Sequence, residues 1–382
     1  MADIAARAGV TKAAVSFALN GQPGVSAATR ERILAIAQEV GFQPNSAARA
    51  LTAGRVGAFG LIIDRPARLL SIEPFFMQLL SGIQADLTQH HVTLAFSMAE
   101  DTQDEIALYE QWWAQRHVDG VFVVDLQQDD RRIPVLERLR MPAVVIGPPG
   151  GSGSLPAIWQ DMRTVVEAVV GHLSGLGHQR IARVSGLTRY WHTTLRAAAF
   201  AEVTALAGLE AIQAEADYTA EHGAAATREL LAGPRPPTAI LYDNDVMAVA
   251  GLSMAQRMGV CVPADLSIVS WDDSALCELT HPAITSVGRD IAGVGAMAAR
   301  MLREMVDGQR PRHAREPVAG LRARGSTGPL AVRPADPQPV PGPRLSPGSR
   351  QSREGVLASA AGRGRVRVPR QPVSMMTGVE RG

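Results

Sequence analysis

From Asp3 to Gly41 the apolar positions recur at the 3.6-residue period of three short helices. Asp3 to Ala8 is an alanine-rich run that stops at Gly9-Val10. From Thr11 to Asn20 a second run puts Ala14, Val15, Ala18 and Leu19 on one side and Lys12, Ala13, Ser16, Phe17 and Asn20 on the other. Thr11 is placed to cap it, because its oxygen accepts from a backbone N–H that the first turn leaves unpaired, and Asn20-Gly21 supplies a stop. Ser26 is placed to cap a third helix in which Ile33, Ala37 and Val40 share a face and which Gly41 and Pro44 end. One face of the second helix packs and the other stays free, the arrangement that sets a helix into a major groove of DNA.

Beyond Arg55 the pattern changes to apolar runs separated by helices, which means parallel sheet covered on both faces. Strands are expected at Val56 to Asp64, Val92 to Met98, Gly120 to Asp125 and Ala143 to Gly147, with helices such as Phe75 to Gln89 and Asp104 to Gln115 between them. After a Gly/Ser/Pro-rich crossover at Pro148 to Pro156 the rhythm resumes, with strands at Arg180 to Ser185, Ala211 to Tyr218, Ala239 to Tyr242 and Ser267 to Trp271. Two α/β lobes follow, and a helix at Asp290 to Val306 is expected to return to the first.

The stretch DIAARAGV-TKAAVSFALNG-QPGVSAATRERILAIAQEVGFQPNSAARAL closely resembles the DNA-binding headpiece and hinge of the LacI/GalR (lactose-repressor) family of bacterial transcription regulators. The resemblance continues through HLSGLGHQRIARVSG, AILYDNDVMAVAGL, VPADLSIVSWDDS and HPAITSVGRD to RGSTGP. It implies a headpiece over 1–45, a hinge helix over 46–55 and, over 56–329, a two-lobed core with the periplasmic-binding-protein fold. The first lobe is expected at about 56–150 and 286–312, the second at about 151–285 and 313–329. The implied protein is a cytoplasmic homodimer, or a tetramer built from it, that represses transcription from a pseudo-palindromic double-stranded operator and answers to a small-molecule effector. The expected DNA contacts are Thr11, Lys12, Ala13, Ser16, Phe17, Asn20, Ser26 and Thr29. In the hinge the resemblance adds Arg49 and, as a minor-groove wedge, Leu51, in a segment too short to be a stable helix alone.

Composition changes this picture little and charge sharpens it. With 46% hydrophobic and 20% charged residues in 382 the chain can bury a large core, and no apolar run is long enough to span a bilayer. The formal charge of +1 divides unevenly: residues 1–55 carry +3, residues 330–382 carry +6, and the middle carries −8. A basic head on an acidic body favours phosphate contact at one end. Lys12 is the only lysine, a mild hint that its position is special. Residues 330–382, rich in Pro, Arg, Gly and Ser without apolar period, are expected to be a disordered tail beyond the point where the family ends. Family members also carry a few residues before the position of Met1, so a weakly capped first helix or an upstream start is expected.

Ligands of open parallel sheets lie beyond the carboxyl ends of the strands. The residues there are polar or aromatic: Asp64, Ser97, Asp125, Tyr218, Asn244 and Asp272. The resemblance implies effector contacts at Phe75, Phe76, Tyr190, His192, Arg196, Tyr218, Asn244 and Asp272, with core packing as the plain alternative for the two phenylalanines and an ion-pair cluster for Arg196, Asn244 and Asp272. Paired donors and acceptors beside the flat faces of Tyr218 and Trp191 suit a ring with several hydroxyls. A sugar or sugar derivative is therefore the first expectation and a nucleobase or nucleoside the second. A solute-binding protein or sensor with impaired DNA binding is the rival class. No nucleophile, base and orienting acid stand together, so no enzyme is expected, and no cofactor or metal. His178 is expected to bond nearby groups, His90-His91 to end a helix, Gly150 to Ser154 to be a crossover, and Cys261 and Cys277 to be filler.

Overall fold

The computed structural model describes residues 1–19, 22–42, 55–65, 70, 72–317 and 320–330. Asn20, Pro44, the hinge with Arg49 and Leu51, and the tail from residue 331 lie outside the described residues, while Leu330, the first residue of the expected tail, donates its N–H to the Leu176 carbonyl at 3.0 Å.

The headpiece is three helices, α1 (Ala2–Ala8), α2 (Lys12–Leu19) and α3 (Ala27–Glu39). Ile4, Ala5, Ala8, Val15, Ala18, Ile33 and Ala37 form its core, so each helix buries the stripe that its periodicity marks. Gly9 ends α1 at φ +65°, a left-handed conformation that only glycine adopts cheaply. The side chain of Thr11 accepts from the Ala14 N–H at 3.1 Å. That of Ser26 accepts from the Thr29 N–H at 3.3 Å. No side chain caps the start of α1, as expected.

The core continues through β1 (Ala58–Ile63), α4 (Pro74–Gln89), β2 (Thr93–Met98), α5 (Thr102–Ala114), β3 (Gly120–Val123), α6 (Arg132–Leu139), β4 (Ala143–Ile146) and β5 (Ala157–Trp159). It then runs through α7 (Met162–Gly175), β6 (Arg180–Ser185), α8 (Trp191–Leu206), β7 (Glu210–Glu215), α9 (Ala220–Ala232), β8 (Ala239–Tyr242), α10 (Asp245–Arg257), β9 (Ser267–Ser270), α11 (Ala275–Leu279) and β10 (Thr285–Gly288). The last elements are α12 (Ile291–Val306), β11 (Ala314–Arg315) and β12 (Gly320–Arg322).

Two six-stranded sheets result, ordered β11-β5-β4-β3-β1-β2 and β12-β10-β9-β8-β6-β7. Every pairing between these strands is parallel except that of β10 with β12. In β1 the pleat sends Phe59, Leu61 and Ile63 to one face and Ile62 to the other, where they enter separate apolar clusters. The helix α12 does return to the first lobe: Val294, Ala298 and Leu302 share a cluster with Leu79 and Ile83 of α4. The two helices touch through glycine, since a Cβ on Gly82 would stand 1.8 Å from the Ala292 carbonyl oxygen and one on Gly295 would stand 2.3 Å from that of Leu79.

The lobe boundaries differ from expectation. Ala157–Trp159 and Ala314–Arg315 belong to the first sheet, and Thr285–Gly288 to the second. The Gly/Ser-rich loop 148–156 therefore joins two neighbouring strands of the first lobe and is not the crossing. The chain changes sheets near Gln160, Arg289 and Glu316 instead. The loop's glycines have a packing reason, because a Cβ on Gly151 would lie 1.8 Å from the Trp191 ring.

Candidate functional site

Two places collect the residues singled out in the sequence. On α2, Lys12, Ala13 and Phe17 are exposed while Val15 and Ala18 are buried. This follows from the helical period of about 3.6 residues: packing Val15 and Ala18 inward puts Ala13 and Phe17 on the opposite side and Lys12 at its margin. Ser16 is half-buried. Phe17 is 40% exposed, and a Cβ on Gly24 would lie 3.3 Å from its ring. Ser26 and Thr29 share a 2.8 Å hydroxyl hydrogen bond, so their side chains serve the start of α3 as well as any DNA contact.

The second place is a cleft between the carboxyl ends of the two sheets, with about 720 Å3 of empty space including its mouth. Of the eight effector residues expected, Phe75, Phe76, His192, Arg196, Tyr218 and Asp272 line it. Phe76 is also a core residue, with 1% of its surface exposed, so it packs as the plain alternative expected while lining the cleft. Tyr190 and Asn244 do not line the cleft. Tyr190 lies behind it, its ring stacked on His192 at 5.7 Å. Asn244 caps α10 by accepting from the Met247 N–H at 2.9 Å and donates to the Tyr218 carbonyl at 3.1 Å, which employs both ends of its amide. Trp191 faces the glycines of the 148–156 loop and does not offer its face to the cleft.

Several lining residues were not singled out in the sequence: Arg65, Glu73, Gln160, Arg289 and Glu316. Arg65 stands two residues past the end of β1, so the rule of strand ends that chose Asp64 held the signal one residue away. Its Nε donates to Asp125 at 2.8 Å. Its guanidinium also sits 4.4 Å from the centre of the Tyr190 ring and 4.8 Å from that of Tyr218. A side chain of the first lobe thus occupies the aromatic faces of the second. Burial opposes the charge on Arg65, but the Asp125 carboxylate more than reverses this and raises its pKa; for Asp125 burial pushes up and Arg65 pulls further down.

Asp125 keeps its place through a second network. It sits at φ +52°, and its carbonyl accepts from Arg132 at 3.1 Å. The remaining donors of Arg132 go to Asp130 and, at 2.9 Å each, to both oxygens of the fully buried Glu105.

On the other side, Arg196 donates to the Asp243 carbonyl at 3.1 Å and lies 4.1 Å over the Trp271 ring. Trp271 in turn donates from Nε1 to Gln160 at 3.2 Å, tying the second lobe to the first crossing. The second and third crossings meet where Arg289 donates to Glu316 at 3.0 Å and to Asp272 at 3.4 Å. Burial raises the pKa of Asp272 against the pull of Arg289. It lowers that of His192 to about 3, with Arg196 acting in the same direction, so this imidazole is neutral and donates or accepts without charge. It shares the Tyr218 hydroxyl, at 2.8 Å, with Thr193.

Four buried polar atoms of the cleft residues have no hydrogen-bond partner among the described residues: Arg65 Nη1, Gln160 Nε2, Arg196 Nε and Glu73 Oε2. His178, by contrast, bonds Thr238, Ser267 and the Gly328 carbonyl at 3.0, 2.9 and 3.2 Å, which makes it a satisfied core residue. No group of three or more His, Cys, Asp or Glu residues that could hold a metal ion occurs among the described residues.

Comparison with known proteins places both regions. Residues 1–45 match the description "Bacterial regulatory proteins, lacI family", and residues 170–327 match "Periplasmic binding protein-like domain". The chain is 30% identical to the HTH-type transcriptional regulator CelR of Thermobifida fusca over 80% of its length and 91% of that protein's. With the HTH-type transcriptional regulator MalR of Streptomyces coelicolor it shares 31% identity over 81% and 90%. Among solved structures it is similar to a lac repressor dimer bound to operator and the anti-inducer ONPF, at a TM-score of 0.75 and 26% identity over 86% of this chain and 98% of that one. A CelR–cellobiose complex has a TM-score of 0.66 and 28% identity, covering 85% and 98%.

Proposed function

The chain belongs to the lacI family of bacterial regulatory proteins and is a DNA-binding transcriptional regulator, and from that premise we propose a homodimeric repressor whose grip on a pseudo-palindromic operator is set by a sugar or sugar derivative closed between the lobes. The observation that carries the effector reading is the set of four unpartnered atoms in one cleft. Three are donors and one is an acceptor. Leaving such groups buried and unpaired costs about 1 to 3 kcal/mol each, so the cleft is built for something that supplies both kinds of partner. Hydroxyl groups do both. A solved relative, CelR, has been captured with cellobiose. A nucleobase finds less here, because Arg65 already covers the faces of Tyr190 and Tyr218.

The dimer is supported by apolar side chains left in the open on both lobes. Met77 on α4 is 59% exposed, Phe96 on the edge strand β2 is 44% exposed and Leu279 at the end of α11 is 82% exposed. Lys12, Ala13 and Phe17 choose the operator, and the hinge residues Arg49 and Leu51 read its centre. The protein binds its ligand without transforming it, and works in the cytoplasm, where operator DNA lies; no helix among the described residues is long and apolar enough to cross a membrane.

Operator titration across a panel of sugars and nucleosides, with wild type and Asp272→Ala, tests the reading. Removing the carboxylate leaves Arg289 one acceptor short and takes two acceptor sites from the ligand. The variant is expected to need roughly 5 to 150 times more effector, the equivalent of about 1 to 3 kcal/mol. An unchanged half-response concentration overturns the assignment of the cleft.

A further inference from the structure

The charges of the cleft are not balanced, and the imbalance narrows what it can hold. Each of its three guanidinium groups is already matched. Arg65 is held by Asp125 at 2.8 Å, Arg289 by Glu316 at 3.0 Å and Asp272 at 3.4 Å, and Arg196 has the Asp243 carbonyl at 3.1 Å and, at 3.9 Å, the Asp243 carboxylate, which Arg183 holds from behind the cleft at 2.8 and 2.6 Å. With Arg183 counted, those four carboxylates face four guanidinium groups, and Glu73 is a fifth carboxylate that exceeds them. An anion entering this closed space meets donors but no cation without a carboxylate beside it.

Glu73 is the carboxylate in excess of the guanidinium groups. It stands at the N-terminus of α4, with 6% of its surface exposed. Its Oε2 has no hydrogen-bond partner among the described residues. The groups that face it are Arg65 and Asp125 from the first lobe, and Asp272 and the Asn244 amide from the second. Burial raises its pKa to about 7; Arg65 and a hydrogen bond with the Asn244 amide oppose the rise, and Asp125 and Asp272 add to it. Nearby His192 is neutral throughout the physiological range and supplies no positive charge.

We propose that Glu73 sets the charge class of the effector: the cleft accepts a sugar that bears no acid group and donates a hydrogen bond to Glu73 Oε2, and it rejects sugar phosphates and sugar acids. This rests on the reading of the cleft as a sugar site, which it refines. The hydroxyls of a neutral sugar, or the ammonium of an amino sugar, satisfy Glu73 and leave ring and hydroxyl oxygens for Arg65 Nη1, Arg196 Nε and Gln160 Nε2. A phosphate or carboxylate places its charge beside Glu73, whose carboxylate exceeds the guanidinium groups of the cleft. Because the ionised acceptor is the stronger one, the donor also favours deprotonated Glu73, and binding of a neutral sugar strengthens as pH rises through about 7.

The experiment is calorimetric titration of the full-length protein with four groups of ligand: neutral mono- and disaccharides, hexosamines, hexose phosphates and hexuronates. Wild type is expected to bind a member of the first two groups at least tenfold tighter than any member of the last two. Its affinity for a neutral ligand is expected to be several-fold greater at pH 8 than at pH 6. Glu73→Gln, which keeps the shape and removes the charge, is expected to narrow the gap between neutral and anionic ligands by about tenfold and to flatten the pH profile. A wild type that prefers a phosphate or uronate overturns the proposal while leaving the sugar site standing. Binding by none of the four groups overturns the sugar site itself, and this proposal with it. A gap and pH profile unchanged in a Glu73→Gln protein with wild-type circular dichroism shows that some other group sets the charge class.

Discussion

Replacing Arg132 by Met asks how firmly the scaffold behind the cleft is held by charge. All five guanidinium N–H groups of Arg132 are used: Nε and one Nη2 hydrogen on Asp130, both Nη1 hydrogens on Glu105, and the other Nη2 hydrogen on the Asp125 carbonyl. Methionine fills much of the stem's volume and removes the charge. Asp130 survives the loss comparatively well, because the backbone N–H groups of Gln127 and Arg132, each at 2.9 Å, still donate to it. Glu105 does not. It is fully buried, burial already raises its pKa against the pull of Arg132, and only the Tyr109 hydroxyl remains as a partner.

Breaking a buried pair from one side typically costs about 3 to 5 kcal/mol. The chain can limit this by protonating Glu105, which at pH 7 costs about 3.7 kcal/mol from an ordinary carboxyl pKa of about 4.3. By the same arithmetic the cost at pH 5 is about 1 kcal/mol. The sign follows from proton binding: in the variant, folded Glu105 has the higher pKa and holds a proton that the unfolded chain releases, so stability falls as pH rises from about 4 to about 8. The expected loss is therefore about 3 to 5 kcal/mol at pH 7.5, shrinking to about 1 to 2 kcal/mol at pH 5. Urea unfolding at a series of pH values, followed by tryptophan emission with Trp112 and Trp113 reporting from α5, measures it. The double variant Arg132→Met, Glu105→Gln should lose the pH dependence and recover part of the stability. A loss below about 1 kcal/mol at pH 7.5, or one that does not change with pH, refutes the reasoning.

Exchanging Lys12 and Ala13 is expected to move the preferred operator sequence, since both are exposed near the N-terminal end of α2, where base edges are met; selection from random DNA shows whether the preference shifts. Leu51→Ala should weaken specific binding far more than non-specific binding, because a wedge contributes only when DNA bends around it; competition titrations against operator and scrambled duplexes compare the two. Gly82→Ala puts a methyl group 1.8 Å from the Ala292 carbonyl oxygen, and prising α4 from α12 should cost about 1 to 3 kcal/mol or more. An unchanged thermal midpoint would show that this helix contact is looser than described.

What could be read from the sequence was whatever local physics decides. The caps at Thr11 and Ser26, the glycine stop at Gly9 and the buried stripes of the headpiece depend on residues a few positions apart, and they stand where the periodicity puts them. The same holds for the strands Arg180–Ser185 and Ala239–Tyr242, whose bounds agree with the expectation residue for residue. The strand-end rule also found Asp125, Tyr218 and Asp272, because a parallel sheet sends every chain end to one side. It failed where an element is too short to have a period. The strands β5 and β11 have three and two residues, and they pair with each other across more than 150 positions of sequence. The crossings beside them, with Gln160 and Glu316, could not be seen until the sheets had formed. Nor could sequence show that Arg65 of one lobe would take the aromatic faces of Tyr190 and Tyr218 on the other, or that Asn244 would spend its amide on a helix cap and a carbonyl. Partners for buried charges are chosen by what lies within a few ångströms after two lobes close, and that proximity is a property of the packed chain alone.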